Sequence, residues 1–553
     1  MSAGNSKFDG KLLTHMSAYV ISWSRGAPRG GCRRTVTAML LASALLSGAV
    51  LPASAQSNRD GERLRKIAAY VEKARRDWEV PGLGLAIVRN DTVIFAQGFG
   101  TRTIGRDERV DENTLFAIGS SSKAFTAAAV AMLVDEGKLR WTDPATRHLP
   151  GLAFHDDYVN RELTVADLLS HTSGLPRYDQ LWGAFNYPRE EILRRVRSLE
   201  PTTSFRSTFG YQNIMYLAAG ELVHANSGRS WDDFIAQRIF APLGMKRSST
   251  TVRALAGAAN VASPHARVAN TIVAVPYRNI DNIGPAGSIN SSVREMAEWL
   301  RLQLGRGVHN GSRVLSDSVV RAMHSPRIVI SRTARDEENN PHTHFASYGM
   351  GWFLEDYRGR KVIHHGGNID GMTAMVAMLP NERVGFVLLE NLNSSGMRTA
   401  LMHYIFDRFL DAEERDWSAE DLARARATRA RAAAAADSAG GQAQGPARVS
   451  GTQPSRPLAR YAGTYENEMF GDVVVREENG RLVLRAGNGP AIHAEMEHWH
   501  FDTFRTRNLD PAAGPLRDAQ RMMVTFALDA RGESNVLTLA GLGEFRRRPE
   551  RAR

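Results

Sequence analysis

FAIGSSSKAFTAAAV, residues 116–130, sets three hydroxyls and one lysine ahead of an apolar run. Phe125, Ala128, Ala129, Met132 and Leu133 recur at close to 3.6-residue spacing in an alanine-rich segment, which predicts a helix. Ser120 then stands at or just inside the helix N-terminus, with Lys123 one turn on and on the same face. An amine so placed reaches the Ser120 hydroxyl. The unpaired N–H groups of the first turn point to the same spot, where they stabilise an oxyanion. An N-cap serine followed by a solvated lysine has this spacing too, so S-x-x-K marks a nucleophile only where other groups complete it.

A chain of 553 residues and 60.9 kDa exceeds one core, and two domains with a linker are expected. Its 43% hydrophobic and 23% charged residues exclude global disorder. Arg33-Arg34 precede the apolar stretch TVTAMLLASALLSGAV, and LPASAQ follows with the small-x-small pattern Ala53-Ser54-Ala55. This is the layout of a secretory leader over residues 1–55, with an N-terminal extension of about 30 residues. The apolar core is short for a membrane span, so no stable span remains after cleavage and a periplasmic or secreted protein is expected. The single cysteine, Cys32, falls in that leader, which leaves no disulfide and no thiol nucleophile afterwards. Of the net charge of +11, residues 1–55 carry six basic and one acidic residue, leaving about +6. That charge is spread without an aromatic-laced basic stripe, which argues against nucleic acid as a partner.

Residues 61–80 read as an amphipathic helix carrying Leu64, Ile67, Val71 and Trp78, and LGLAIVRNDTVIFAQGFG as a hairpin turning at Asn90-Asp91. Helices are expected at 123–136, 164–170, 183–197 and 212–225, and another from Ser291-Ser292 with Glu295 closing a capping box. After Tyr348 the pattern changes to strands (GMGWFLED, KVIHH, MTAMVAMLP, RVGFVLLEN), with a helix near 395–410. The fold class is α+β: a central antiparallel sheet with a helical subdomain over residues 60–412, first and last strand segments packed together. Residues 413–455 read as an Ala/Arg-rich linker whose helix-forming first half has little to bury. Residues 456–550 read as a small all-β barrel or sandwich. His493, His498 and His500 there, like His342 and His344 in the loop 332–345, read as surface histidines, and no metal site is assigned.

Two more segments can complete a site. In FRSTFGYQNIMYLAAGELV, Tyr211 serves as a base if Lys123 stabilises its phenolate, and Asn213 offers both a donor and an acceptor to a substrate amide. In VIHHGGNIDGM, the glycines after His365 let a substrate backbone approach a strand, and the N–H that follows can be a second oxyanion donor.

FxIGSxSK, Tyr-x-Asn about 90 residues later and His-Gly-Gly about 150 beyond that resemble the serine beta-lactamase-related family. That family holds class C beta-lactamases, D-stereospecific peptidases, low-molecular-weight penicillin-binding proteins and lactamase-like esterases. LLSHTSGLP (168–176) and PAGSINSSVREMAEWL (285–300) resemble further segments of it, and the likeness covers about residues 60–410. The C-terminal segment, with Tyr461, Gly463 and Tyr465, is similar to a lipocalin-like accessory domain. The resemblance implies a beta-lactamase/transpeptidase-like fold in which Ser120 is the acylated nucleophile, Lys123 its partner in proton transfer and Tyr211 the general base. It further implies that Asn213 holds the substrate amide and that His365, Gly366 and Gly367 occupy the place of the family's Lys-Thr-Gly. Asn368 and Ser120 then supply the oxyanion N–H groups, and Ser122 is free to orient Lys123 or Tyr211. Two-step hydrolysis of this kind needs no metal or organic cofactor.

His365 departs from the family's usual lysine. A histidine is mostly neutral at pH 7, and Gly366 removes a hydroxyl, so recognition of a beta-lactam carboxylate is weakened. The expected activity is amide hydrolysis in a peptide or peptide-like small substrate, D-residue peptides or linearised cyclic peptides such as linearised microcystin among them. The alternatives are a carboxylesterase, a beta-lactamase or DD-carboxypeptidase, and a non-catalytic peptidoglycan-binding protein. In some relatives an accessory domain restricts substrate length, but the sequence names no docking surface for the barrel, nor an oligomeric state.

Overall fold

A computed structural model describes residues 53–268, 270–393, 396–438, 447–487, 492–509 and 521–549. Strands β1 (Gly82–Arg89) and β2 (Thr92–Gly100) form the expected hairpin. At its tip Asn90 and Asp91 have φ of 48° and 65°, the left-handed pair that a two-residue turn requires. The chain returns to this sheet as β3 (Ile328–Val329), β4 (Ala346–Tyr348), β5 (Phe353–Tyr357), β6 (Arg360–Ile369), β7 (Met372–Leu379) and β8 (Val384–Glu390). The order is β2-β1-β8-β7-β6-β5-β4-β3, antiparallel throughout, so the last strand lies against the first with Leu83 opposite Glu390.

Both faces of the sheet are covered, which is why β7 and β8 are continuous apolar runs rather than alternating ones. Leu83, Leu85 and Ile87 face helix α1 (Ala53–Asp77) and helix α5 (Met397–Phe409), joining Ile67, Val71 and Leu401 in one core. Ala86 and Val88 face the other way, into the core of α2 (Ser122–Asp135), α3 (Asn213–Ser227) and α4 (Val293–Leu304). Helix α2 is buried from Ser122 to Leu133, as a helix apolar on every side must be, and Phe125 stacks on Trp299 at 3.9 Å.

Four local expectations differ from the structure. The helix expected over 183–197 is Arg189–Arg195 with a single tighter turn to Ser198, because Pro188 lacks an N–H and restricts the residue before it; 184–188 are loop. The helix expected over 164–170 is one turn, Val165–Leu168, closed by a Thr164–Asp167 capping box. At α4, Ser292 caps the helix, but the Glu295 carboxylate accepts from the Arg247 N–H (2.8 Å) and the Ser248 hydroxyl (2.6 Å) and closes no box. The segment read as a linker opens with α6 (Trp417–Ser438), whose first turns are packed: Trp417 is buried and donates to Asp407 (2.8 Å), and Ser418 accepts from Trp78 (3.0 Å).

The C-terminal strands β9 (Gly463–Asn467), β10 (Gly471–Glu478), β11 (Arg481–Ala486), β12 (Ile492–His500), β13 (Thr503–Asn508), β14 (Met523–Leu528), β15 (Ser534–Leu539) and β16 (Gly543–Arg547) close into a barrel. Closure leaves no free sheet edge, and inward residues such as Val473, Leu484, Phe504, Phe526 and Leu537 fill the interior. Among the described residues no helix is long and apolar enough to cross a membrane. The leader expected over 1–55 lies almost wholly outside the described residues.

Candidate active site

Ser120 lies in a single 3-10 turn, Gly119–Ser121, that runs straight into α2. In such a turn residues three apart eclipse one another, and Lys123 Nζ donates to Ser120 Oγ at 3.1 Å. The same amine donates to the Ala286 carbonyl at 2.7 Å and is wholly buried. Burial pushes its proton affinity well below that of an ordinary lysine; nearby Asp179 opposes the shift and Arg177 adds to it. Tyr211 is half-buried, and desolvation pushes its phenol above the usual range, against the opposing hydrogen bond from Ser120. Its ring lies 4.8 Å from Lys123 Nζ and 5.1 Å from the Arg177 guanidinium. Ser120, Lys123 and Tyr211 are thus brought to one point.

The two neighbouring hydroxyls hold the turn. Ser122 Oγ donates to the Gly119 carbonyl (2.7 Å) and accepts from the Ile289 N–H (3.1 Å), bonding neither Lys123 nor Tyr211. Ser121 Oγ donates to the His365 carbonyl at 3.1 Å, tying the turn to β6.

Close approach of β6 depends on missing side chains. A Cβ on Gly367 would fall 1.8 Å from the Ile118 carbonyl oxygen and 3.2 Å from the Ser120 nitrogen. Gly119, at φ +51°, would place one 2.8 Å from the Asn368 nitrogen. The backbones at Ser120 and Asn368 are therefore adjacent, as two oxyanion donors must be. His365 sits on the same strand, but its imidazole is 1% exposed: Nδ1 donates to the Gly366 carbonyl (2.7 Å) and Nε2 accepts from Tyr348 (3.0 Å). Burial holds it well below the usual histidine range, so it is neutral.

Ser120 lies between two cavities. One, of about 170 Å³, is bounded by Asn213, Arg177, Asp179, Trp182, Arg278 and Asp370. The other, of about 320 Å³, is bounded by Tyr211, His364, Gly366, Met375, Arg398 and Thr399. Asn213 Nδ2 donates to Asp179 Oδ1 at 2.8 Å, while its buried Oδ1 has no partner among the described residues. The Trp182 indole shares Asp179 Oδ1 (2.8 Å), and Arg177 Nε donates to Oδ2 (2.5 Å). On the other side the Arg398 guanidinium fills the space a side chain at 366 would take, 3.1 Å from a Cβ there, and donates to the Gly367 carbonyl (3.0 Å). Sequence reasoning passed over Arg177, Asp179, Trp182, Arg278, Asp370 and Arg398. The nearest signals were the position of Arg177 directly after LLSHTSGLP and the absence of a side chain at Gly366. Among the described residues no group of three or more His, Cys, Asp or Glu side chains is arranged to hold a metal.

A sheet flanked by helices with a serine turn facing one of its inner strands is the architecture of the beta-lactamase family, and that family model matches residues 67–408. The chain belongs to this serine-hydrolase family. A second model, a domain of unknown function (DUF3471), matches residues 447–550. Over 462 residues the chain is 28% identical to unguisins hydrolase ungD of Aspergillus violaceofuscus, covering 78% of each protein. Over 342 residues it is 23% identical to protein flp of Staphylococcus aureus, covering 61% of this chain and 65% of that one. Among solved structures, the octameric penicillin-binding protein homologue from Pyrococcus abyssi superposes with a TM-score of 0.56 at 21% identity, covering 87% of this chain and 99% of that one. SurE gives 0.53 at 20% identity, with 89% and 100% covered. At these identities the two structures share the fold.

Proposed function

We propose that the protein is an exported serine hydrolase that cleaves amide bonds of peptides or peptide-like compounds through an acyl-enzyme on Ser120. The observation that carries this is the 3.1 Å contact between Ser120 Oγ and a wholly buried Lys123, with Tyr211 on the same hydroxyl. Burial favours the neutral amine at Lys123 and the neutral phenol at Tyr211, so this reading moves the first proton transfer from Tyr211, the base expected from the sequence, to Lys123. Lys123 takes the Ser120 proton as Oγ attacks the carbonyl carbon, the Ser120 and Asn368 N–H groups receive the oxyanion, and Tyr211 passes a proton to the departing nitrogen. Water then attacks the ester carbonyl with the same groups in reverse.

Asn213, with its unpaired buried oxygen, holds the acyl-side amide, and the cavity beside Tyr211 takes the leaving group. Arg398 supplies there the positive charge that His365 lacks, which favours a leaving group carrying a carboxylate. The relative named for hydrolysis of unguisins supports a hydrolase acting on a small natural compound. Closure of eight strands supports the lipocalin-like reading of residues 456–550, behind a catalytic domain over 60–412 and a segment 413–455. Export rests on the leader pattern over residues 1–55.

Turnover of D- and L-aminoacyl anilides, with and without a carboxylate on the leaving group, tests this against p-nitrophenyl esters and a penicillin. Anilide turnover exceeding ester turnover is expected. Arg398→Ala should raise KM about 10- to 100-fold for the carboxylate-bearing anilide alone, the loss of one charge-assisted hydrogen bond. Ester turnover with silent anilides would make the protein a carboxylesterase.

A further inference from the structure

The barrel meets the catalytic domain at Gly487, where a Cβ would fall 2.3 Å from the Phe185 carbonyl oxygen, and through the hairpin between β9 and β10. Asn467 Oδ1 accepts from the Met469 and Phe470 N–H groups, both at 2.9 Å, which shapes the tip. The Phe470 ring stacks on Phe185 at 5.2 Å and meets Tyr178 at 5.9 Å, and its carbonyl accepts from the Tyr187 hydroxyl at 2.6 Å. Arg195 Nη1 donates to the Glu468 (3.1 Å) and Met469 (2.7 Å) carbonyls while its guanidinium lies over the Tyr187 ring. Gly471, at φ +74°, has no room for a Cβ, which would fall 2.5 Å from the Tyr187 hydroxyl.

Apart from those of Arg195, these contacts fall on one stretch of chain. Residues 177–187 carry Arg177, Asp179 and Trp182, the wall of the cavity in which Asn213 sits. Tyr178 and Asn186 have φ of +38° and +50°, a backbone that non-glycine residues keep only where surroundings hold it. Phe470 packs on Tyr178, the peptide bond joins Tyr178 to Asp179, and Asp179 accepts from Asn213 Nδ2.

We infer that the barrel hairpin is a clamp on this wall and that Phe470 is a positioning residue, acting through residues 178–179 to fix Asn213 for the acyl half of a peptide substrate. The acyl-chain role rests on the Ser120 reading; the clamp itself does not. Cleaving a small ester makes little use of that wall, so loosening it should separate long from short substrates.

Hydrogen exchange and kinetics on the full chain test this with Phe470→Ala, and with Arg195→Ala, which removes two hydrogen bonds to the hairpin from the catalytic side without altering the barrel. Exchange in residues 177–187 should rise about tenfold in both variants while β10 and β11 keep their protection. KM for peptide anilides should rise about tenfold with labelling of Ser120 by a small phosphonate changed less than about twofold, and Phe470→Tyr should restore both. Unchanged exchange in 177–187, or an equal fall for peptide and phosphonate, overturns the clamp. If Phe470→Ala unfolds the barrel, Arg195→Ala decides. If wild-type Ser120 is never labelled, the hydrolase reading fails and the exchange result alone judges the clamp.

Discussion

At the scale of single residues the chemistry turns on a buried amine. Lys123 has a folded-state proton affinity well below the ordinary 10.5. Between its lowered value and 10.5 the unfolded chain binds a proton that the folded chain does not, so this residue makes stability rise with pH across that window. Lys123→Met should remove that slope, seen as a urea midpoint less dependent on pH than in the wild type. An equal slope in both proteins would mean that Lys123 is not desolvated. For catalysis the sign is the same: kcat/KM rises as Lys123 loses its proton, on a limb well below 10.5, and Lys123→Met should cost about 10³-fold. The S-x-x-K spacing was legible at once, but the direction of the shift was not, since it is set by burial under segments distant in sequence, opposed by Asp179 and reinforced by Arg177.

At the scale of elements the site is a meeting of one turn and one strand, made possible by glycines. Gly367→Ala would drive a Cβ to 1.8 Å from the Ile118 carbonyl, a backbone atom that cannot swing aside. Destabilisation of about 3 kcal/mol is expected, with loss of Ser120 acylation even in the folded fraction. Gly366→Ala meets only the flexible end of Arg398 and should keep acylation. Wild-type labelling by Gly367→Ala would show that the strand does not form the site. Element types were legible where apolar segments were bounded by clear turn or cap signals, as in α2, α3, the β1–β2 hairpin and strands β5 to β8. The loop 184–188 was not, because Leu181 and Phe185 have helical spacing, while Phe185 and Tyr187 are held by the barrel, which the sequence does not reveal locally. Likewise α6 looked unsupported, since Trp417 finds Asp407 and Ser418 finds Trp78 only in three dimensions.

At the scale of the whole molecule a two-faced sheet brings sequence-distant segments together at Ser120. The ordering of FxIGSxSK, Tyr-x-Asn and His-Gly-Gly made this assembly readable without coordinates. The wall from Arg177 to Trp182 and the cation at Arg398 belong to no such pattern, and only packing places them. The central claim is that Ser120, activated by Lys123, forms the acyl-enzyme. Its most direct test is the intact mass of the protein after exposure to a serine-directed phosphonate, beside Ser120→Ala and Lys123→Met. One adduct on the wild type, none on Ser120→Ala and greatly slowed labelling of Lys123→Met is the result expected. An adduct that survives in Ser120→Ala, or an unlabelled wild type that nonetheless turns over substrate, would contradict it.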